Sequence, residues 1–132
     1  MSEKSMANEK IVKKLYDAQS RANFEEYFSL LSNDVVYYAA GDCRLSGIHK
    51  GKEKLKEIGM ITFKETGGTH RVTLKSIIAN DCYVAVVDTW KASRKGSDIE
   101  MDNLLVYMIE GEKNKEIREF IGDVEKHDDF WR

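Results

Sequence analysis

The sequence predicts a single α+β domain in which three helices precede a mostly antiparallel sheet. Apolar residues recur at helical spacing in the first half of the chain, while nearly all segments rich in β-branched and aromatic residues lie in the second half. The 132 residues are enough for one sizeable core, and no linker or internal repeat divides them. We therefore treat residues 1–132 as one domain and expect residues 1–7 to form a flexible tail.

Three segments have the periodicity of amphipathic helices. The first is predicted over residues 8–21, the second over 24–31 and the third over 52–63. Asn23 precedes the second helix as an N-cap, and Glu26 follows three residues later as its capping-box partner. The first half of the chain is therefore expected to supply a layer of helices.

Five segments are predicted as strands from their composition and from the turn-forming residues that bound them. They cover residues 35–40, 70–79, 82–93, 99–109 and 116–123. Short connections between the last four make neighbouring strands antiparallel. The chain then ends in a short tail, residues 124–132, in which Phe130 and Trp131 are expected to fold back as a lid.

Two of these strands, 82–93 and 99–109, are apolar on both faces. Only one face of such a sheet can pack against the helices of its own chain, so the other face needs a second cover. A second copy of the chain is the simplest cover. We therefore expect a homodimer packed through the sheet face.

Composition and charge exclude several classes of partner. The formal net charge is -2 and no basic stripe is present, so a nucleic acid is not expected. No apolar run approaches the roughly 20 residues that a membrane helix needs, and the polar N-terminus has no signal-peptide core. Cys43 and Cys82 belong to no Cys-x-x-Cys pair and have no histidine at ligand spacing. The sequence thus predicts a cytoplasmic protein with no metal and no cofactor.

Four stretches, in their order along the chain, carry a resemblance to a known superfamily. They are 30–37 (Leu-Leu-Ser-Asn-Asp-Val-Val-Tyr), 46–53 (Ser-Gly-Ile-His-Lys-Gly-Lys-Glu), 101–103 (Met-Asp-Asn) and 118–120 (Arg-Glu-Phe). The sequence resembles the nuclear transport factor 2-like superfamily and, within it, the SnoaL-like, ketosteroid isomerase-related proteins. The resemblance extends over residues 8–131.

This resemblance implies a cystatin-like roll, in which a curved sheet and its helices enclose a conical pocket, usually in dimers. Members of the superfamily include isomerases, cyclases, epoxide hydrolases, dehydratases and non-catalytic binders, so the fold alone selects no function. Asp102 matches the oxyanion-hole acid of the isomerases, and Asp123 is the nearest match to the acid of the cyclases. The first-strand acid of the isomerases has no counterpart, because residues 37–40 are Tyr-Tyr-Ala-Ala.

Three residues are candidates for proton transfer. Asp102 lies among apolar neighbours, and burial in a pocket would raise its pKa; the alternative is an exposed strand residue paired with a lysine. Asp123 is a candidate acid or base at the pocket mouth; the alternative is a turn or cap residue. His70 shares a strand face with apolar residues, and its ordinary pKa near 6.5 suits proton transfer. The alternative for His70 is a satisfied core group.

A further group of residues is predicted to contact a ligand through aromatic rings with polar atoms or through polar side chains. These are Tyr16, Tyr37, Trp90, Asn103, Glu119 and Trp131. Two functions remain open. The first is a cofactor-free acid–base enzyme acting on a largely apolar, cyclic or carbonyl-containing molecule. The second is a non-catalytic module of the same fold that binds a ligand or only dimerises.

Overall fold

The computed structural model describes all 132 residues and has the predicted α+β architecture. Its elements are α1 (Glu3–Ser20), α2 (Phe24–Ser29), β1 (Leu31–Ala39), β2 (Gly47–Lys50), α3 (Lys52–Glu65), β3 (Arg71–Ala79), β4 (Tyr83–Arg94), β5 (Ser97–Glu110), β6 (Lys113–Ile121) and α4 (Val124–Phe130). The helices pack on a curved, mixed sheet of six strands. None of the helices is long and apolar enough to cross a membrane.

The strands lie in the order β2-β1-β6-β5-β4-β3. Strands β3 to β6 form the antiparallel meander that their short connections predict. Strand β1 pairs antiparallel with β2 but parallel with β6, placing Tyr37 beside Ile117. The sheet is therefore mostly antiparallel, with one parallel pair that joins the first strand to the last.

Helix α1 begins at Glu3, so the expectation of a flexible tail over residues 1–7 is wrong. The Ser2 side chain caps this helix by accepting a hydrogen bond of 3.0 Å from the Ser5 backbone N–H. Asn8 Nδ2 donates to the Asn80 carbonyl oxygen at 3.1 Å. The first turns of α1 are thus tied to the β3–β4 turn, a tertiary contact that the polar local sequence does not reveal.

Further chain segments differ from their predicted structure, and residues 47–50, outside every predicted strand, form β2. Asn23 caps α2 as predicted, accepting from the Glu26 N–H at 3.2 Å, but α2 ends at Ser29 rather than continuing to residue 31. Leu31 instead opens β1, where it is almost fully buried. The predicted tail folds as α4, whose N-cap is Asp123. For Leu31 and for the tail, burial of apolar side chains outweighs the local sequence preference.

The interior consists of two apolar clusters. The larger one packs α1 against the inner face of the sheet, around Leu15, Val35 and Val84. The smaller one packs α4 against β4 and β5. In it the rings of Trp90 and Trp131 stack with centroids 5.9 Å apart and planes inclined by 11°. Helix α4 thereby closes one end of the sheet.

The outer face of the sheet carries the apolar side chains that the sequence predicts there. Leu104 on β5 lies beside Val87 on β4 and Phe120 on β6. Leu104, Phe120 and, on β3, Ile78 are 41%, 52% and 73% exposed. Exposed apolar side chains on neighbouring strands form a patch of the kind that marks interaction surfaces.

Candidate ligand-binding and acid–base site

A cavity of about 1420 Å³ lies between the inner face of the sheet and the helices α1, α2 and α3. Ligand sites usually measure roughly 300–1,000 Å³, so this cavity has room for a multi-ring molecule. Helix α3 borders it over much of its length, yet Leu55 is the only buried residue of this helix. Of its 37 lining residues 20 are hydrophobic, and the polar ones come from both the helices and the inner face of the sheet.

The central polar group of the cavity is Asp88 on β4. The alternation of this strand turns Val84, Val86, Asp88 and Trp90 to the inside, and Asp88 is only 3% exposed. Tyr16 Oη donates a hydrogen bond of 2.6 Å to Asp88 Oδ2. Tyr107 Oη in turn donates to Tyr16 Oη at 3.0 Å. These side chains form a hydrogen-bonded chain that ends on a carboxyl group lining the cavity.

The pKa of Asp88 suits proton exchange close to neutral pH. Burial raises it from its ordinary value to about 6, the hydrogen bond from Tyr16 acts in the opposite direction, and the nearby Glu119 carboxyl raises it further. Burial also raises the pKa of Tyr16 and of Tyr107, so both phenols stay protonated and remain donors. Asp88 is therefore the member of this hydrogen-bonded chain that gains and loses a proton.

A second carboxyl group, the half-buried Glu119, stands on β6. Tyr37 Oη donates to Glu119 Oε2 at 2.9 Å, and the Ala40 N–H donates to Oε1 at 3.2 Å. Burial raises the pKa of Glu119, and its hydrogen bond with Tyr37 opposes the shift. The neighbouring Arg118 points outward, where its guanidinium lies 3.9 Å from the centre of the Tyr38 ring. Of this pair, only Glu119 faces the cavity.

Aromatic rings line the end of the cavity near α4. The ring of Trp90 lies 6.2 Å from that of His70 and 5.7 Å from that of His127. Burial and the positive charge of Arg71 lower the pKa of His70 to about 4, so its imidazole is neutral at neutral pH. The indole Nε1 of Trp90 is buried without a hydrogen-bond partner. An unpaired buried donor is costly, and a ligand oxygen is one group that would satisfy it.

Seven of the residues predicted for the site line the cavity. They are Tyr16, Tyr37, His70, Trp90, Asn103, Glu119 and Trp131. Asn103 also ties β5 to the residue that follows β6, because its Oδ1 accepts from the Gly122 N–H at 3.1 Å. The role of these residues toward a ligand stays a prediction.

Asp102 requires a correction, because it faces away from the cavity. Asn103 points inward, so the alternation of β5 turns Asp102 to the outer face, where half of its side chain is exposed. Its carboxylate accepts from Thr89 Oγ1 at 2.7 Å and from Lys75 Nζ at 2.9 Å. These two donors lower the pKa of Asp102. The alternative interpretation, an exposed strand residue paired with a lysine, describes what is observed.

Asp123 likewise lies outside the cavity. Its Oδ1 accepts from the Lys126 backbone N–H at 3.1 Å, which makes Asp123 the N-cap of α4. Its side chain is exposed to solvent. The predicted acid or base at the pocket mouth is therefore replaced by the alternative, a cap residue at the start of a helix.

The sequence interpretation missed Asp88, Tyr107 and His127. A signal for Asp88 was present, because residues 84, 86, 88, 90 and 92 read Val-Val-Asp-Trp-Ala, which places one acid in an apolar strand face. Tyr107 follows by the same alternation on β5. His127 lies in the segment that the sequence predicts as a tail, and it is buried because this segment folds into α4.

Comparison with known proteins places the chain among small domains of similar size. No protein-family model matches it. An uncharacterized protein of Mycobacterium tuberculosis is 25% identical over 122 residues, which cover 92% of this chain and 93% of the relative. The structure of Bal32a, from a soil-derived mobile gene cassette, superposes with a TM-score of 0.94 at 24% identity. That match covers 98% of this chain and 99% of Bal32a.

Two further solved structures identify the fold. A nuclear transport factor 2-like protein from Burkholderia xenovorans matches with a TM-score of 0.81 and 20% identity, over 97% of this chain and 98% of its own. A putative SnoaL-like polyketide cyclase from Jannaschia matches with a TM-score of 0.79 and 12% identity, over 92% and 90%. The chain therefore has the nuclear transport factor 2-like, cystatin-like fold that its sequence predicts.

Proposed function

We propose that this protein binds a small, largely apolar molecule carrying a carbonyl group and moves a proton on it without a cofactor. The observation that carries the proposal is Asp88, a buried carboxyl group on the cavity wall with a pKa raised to about 6. A general base is most effective when its pKa lies near the operating pH. The reaction class is isomerisation, cyclisation or dehydration, in which no electrons are gained or lost overall.

In the proposed step Asp88 takes a proton from the carbon next to the carbonyl group. The Tyr107–Tyr16 hydrogen-bonded chain holds the carboxylate in place and stabilises its charge before the transfer. Trp90 follows Asp88 by two residues on the same strand face, so their Cα atoms lie roughly 7 Å apart. Its unpaired N–H is a suitable donor to the oxygen on which negative charge develops. Asp88 then returns the proton at another position of the molecule.

The fold likeness to a SnoaL-like polyketide cyclase is compatible with this chemistry but is an analogy of fold alone. The alternative function is a non-catalytic binding module. It is favoured by the fact that Asp88 and Glu119 both already accept hydrogen bonds from tyrosines of the protein, as satisfied structural groups do. The two functions differ in what Asp88 does once a ligand is bound.

The test begins with thermal-shift screening of polycyclic aromatic ketones, which supplies a ligand. Proton exchange next to the ligand carbonyl is then followed by NMR in deuterated water. We expect Asp88→Asn to keep binding and to slow the exchange by about a hundredfold or more. Asp102→Asn is the matched control, since it makes the same change on the outer face, and exchange should be unaffected. Exchange that persists in Asp88→Asn contradicts the proposed role, and binding without any exchange selects the binding module.

We also propose that the protein is a homodimer joined through the outer face of the sheet. Exposed Ile78, Leu104 and Phe120 support this arrangement, because a partner would remove their apolar surface from water. Light scattering at micromolar concentration should give twice the chain mass, and Leu104→Glu should give the mass of one chain. A wild-type monomer would contradict the proposal.

A cytoplasmic location also stays a proposal, supported by the free thiols of Cys43 and Cys82.

A further inference from the structure

Three side chains with metal-binding atoms meet at the end of the cavity near α4, outside the proposed acid–base chain. Cys43 lies in the loop between β1 and β2, whereas His127 and Asp128 belong to α4. The Cys43 Sγ, a ring nitrogen of His127 and a carboxylate oxygen of Asp128 all lie within 4.8 Å of one another. More than 80 residues separate the thiol from the other two groups, so ligand spacing along the sequence does not reveal the cluster.

Two members of the cluster are buried, Cys43 is half-buried, and hydrogen bonds of the protein orient all three. His127 and Asp128 are 8% and 9% exposed. His127 Nδ1 lies 2.9 Å from Asp128 Oδ1, and Asp128 Oδ2 accepts from the Asp42 N–H at 3.0 Å. The Ser46 hydroxyl oxygen lies 3.3 Å from Cys43 Sγ. Ligand atoms that the protein already holds in position need less rearrangement to bind a metal.

Gly41 leaves space beside these donors. Its backbone has a φ of +90°, and a Cβ atom at this position would lie 2.5 Å from Asp128 Oδ1 and 3.1 Å from His127 Nδ1. Any side chain at position 41 would therefore occupy the space next to the Asp128 carboxylate and the His127 imidazole. The loop from Gly41 to Cys43 thus provides both the open space and the thiol beside His127 and Asp128.

We propose that Cys43, His127 and Asp128 bind a divalent late transition metal, with Zn²⁺ as the best match. A thiolate and an imidazole favour Zn²⁺ over Mg²⁺ and Ca²⁺, which prefer oxygen ligands, and Zn²⁺ also accepts a carboxylate. Three protein ligands leave the fourth tetrahedral position for water or a ligand oxygen. Because His127 also lines the cavity, the metal would stand at the cavity wall.

Binding would replace the hydrogen bond between His127 and Asp128 by two bonds to the metal. The two atoms already face each other at 2.9 Å, so both can turn toward one ion with little movement. The thiol loses its proton when it binds, so affinity should increase with pH. The site does not depend on the proposed proton transfer by Asp88, and each can be tested without the other.

The test uses the intact, reduced protein after treatment with a chelator. Titration with Co²⁺ should saturate at one equivalent and give a thiolate-to-cobalt charge-transfer band, which Zn²⁺ should remove by competition. Cys43→Ser should abolish the band, and Asp128→Asn should weaken binding by at least about tenfold. Cys82→Ser is the matched control, because Cys82 is an exposed free thiol far from the cluster in sequence, and binding should be unchanged.

Circular dichroism verifies that each variant remains folded. Two results would overturn the site: no saturable Co²⁺ or Zn²⁺ binding at micromolar concentration, or binding that survives Cys43→Ser in a folded protein. Loss of the band in Cys82→Ser would likewise assign the metal to another thiol.

Discussion

Tyr16 and Asp88 stand 72 positions apart in the chain, and their side chains form a hydrogen bond of 2.6 Å on the cavity wall. This bond lowers the pKa of Asp88 while burial raises it. Tyr16→Phe removes the donor, so the pKa of Asp88 should rise above its value of about 6. NMR titration of the Asp88 carboxyl carbon measures the shift. Tyr38→Phe, on the outer face, is the control and should leave the titration unchanged; a lower pKa in Tyr16→Phe would contradict the assignment.

Asp88 and His70 should have opposite effects on the pH dependence of stability. Folding raises the pKa of Asp88 from 3.8 to about 6, so this residue's contribution to stability is present at low pH and is lost as pH rises through 6. Folding lowers the pKa of His70 from 6.5 to about 4, so its contribution is present above pH 6.5 and is lost as pH falls toward 4. The two contributions largely cancel in the wild-type protein.

Single variants separate these contributions. Relative to wild type, the unfolding free energy of Asp88→Asn should increase by about 3 kcal/mol between pH 4 and pH 6.5. That of His70→Gln should decrease by a similar amount over the same range. Urea denaturation at a series of pH values measures both, and the difference from wild type removes the contribution of Glu119, whose pKa is also raised. Parallel pH profiles for the two variants would contradict the prediction.

Asp123 should affect stability through its cap on α4. Asp123→Ala removes the acceptor for the Lys126 N–H and should lower the unfolding free energy by about 1 kcal/mol. Asp123→Asn keeps an acceptor of the same size and should preserve most of the stability. Urea denaturation of the three proteins measures the difference. Equal losses in both variants would mean that the charge, rather than the cap, is what matters.

Two glycines should respond in opposite directions to the same substitution. A Cβ at Gly122 would lie 2.3 Å from the Asp102 carbonyl oxygen, so Gly122→Ala forces the backbone to move and should cost about 1–3 kcal/mol. Gly59 lies inside α3, where a Cβ would make an ordinary contact of 3.8 Å with Phe28. Gly59→Ala should therefore stabilise the protein by up to about 1 kcal/mol. Thermal unfolding of both variants tests the pair, and a stable Gly122→Ala would show that the two strands can separate there.

The sequence predicted the meander well, because β3 to β6 are long, rich in β-branched residues and joined by short turns. It failed where tertiary contacts decide. Residues 3–7 look like a polar tail, and they are helical because Asn8 and Ser5 bind the β3–β4 turn. Leu31 continues a helical apolar pattern, and it enters a strand because the sheet buries it.

For the candidate site, the aromatic residues and Glu119 that the sequence selects line the cavity, whereas Asp102 and Asp123 do not. Asp102 and Asp123 were selected by likeness of motif, whereas strand alternation and a helix start place both on the outside. Asp88 is the acid that alternation alone would have turned inward. The closeness of the Cys43 and His127 side chains could not be predicted, since it depends on how α4 packs beside the β1–β2 loop.

The parallel pairing of β1 with β6 has a consequence for how the protein is made. Tyr37 lies beside Ile117, and Glu119 on the same last strand accepts the hydrogen bond of Tyr37. A ribosome therefore releases α1, α2, α3 and β1 long before the strand that completes the sheet exists. The cavity wall forms only after β6 has been synthesised, and contacts of such sequence separation slow folding. A nascent chain that stops before β6 would expose the inner apolar face, which makes it a substrate for chaperones or proteases.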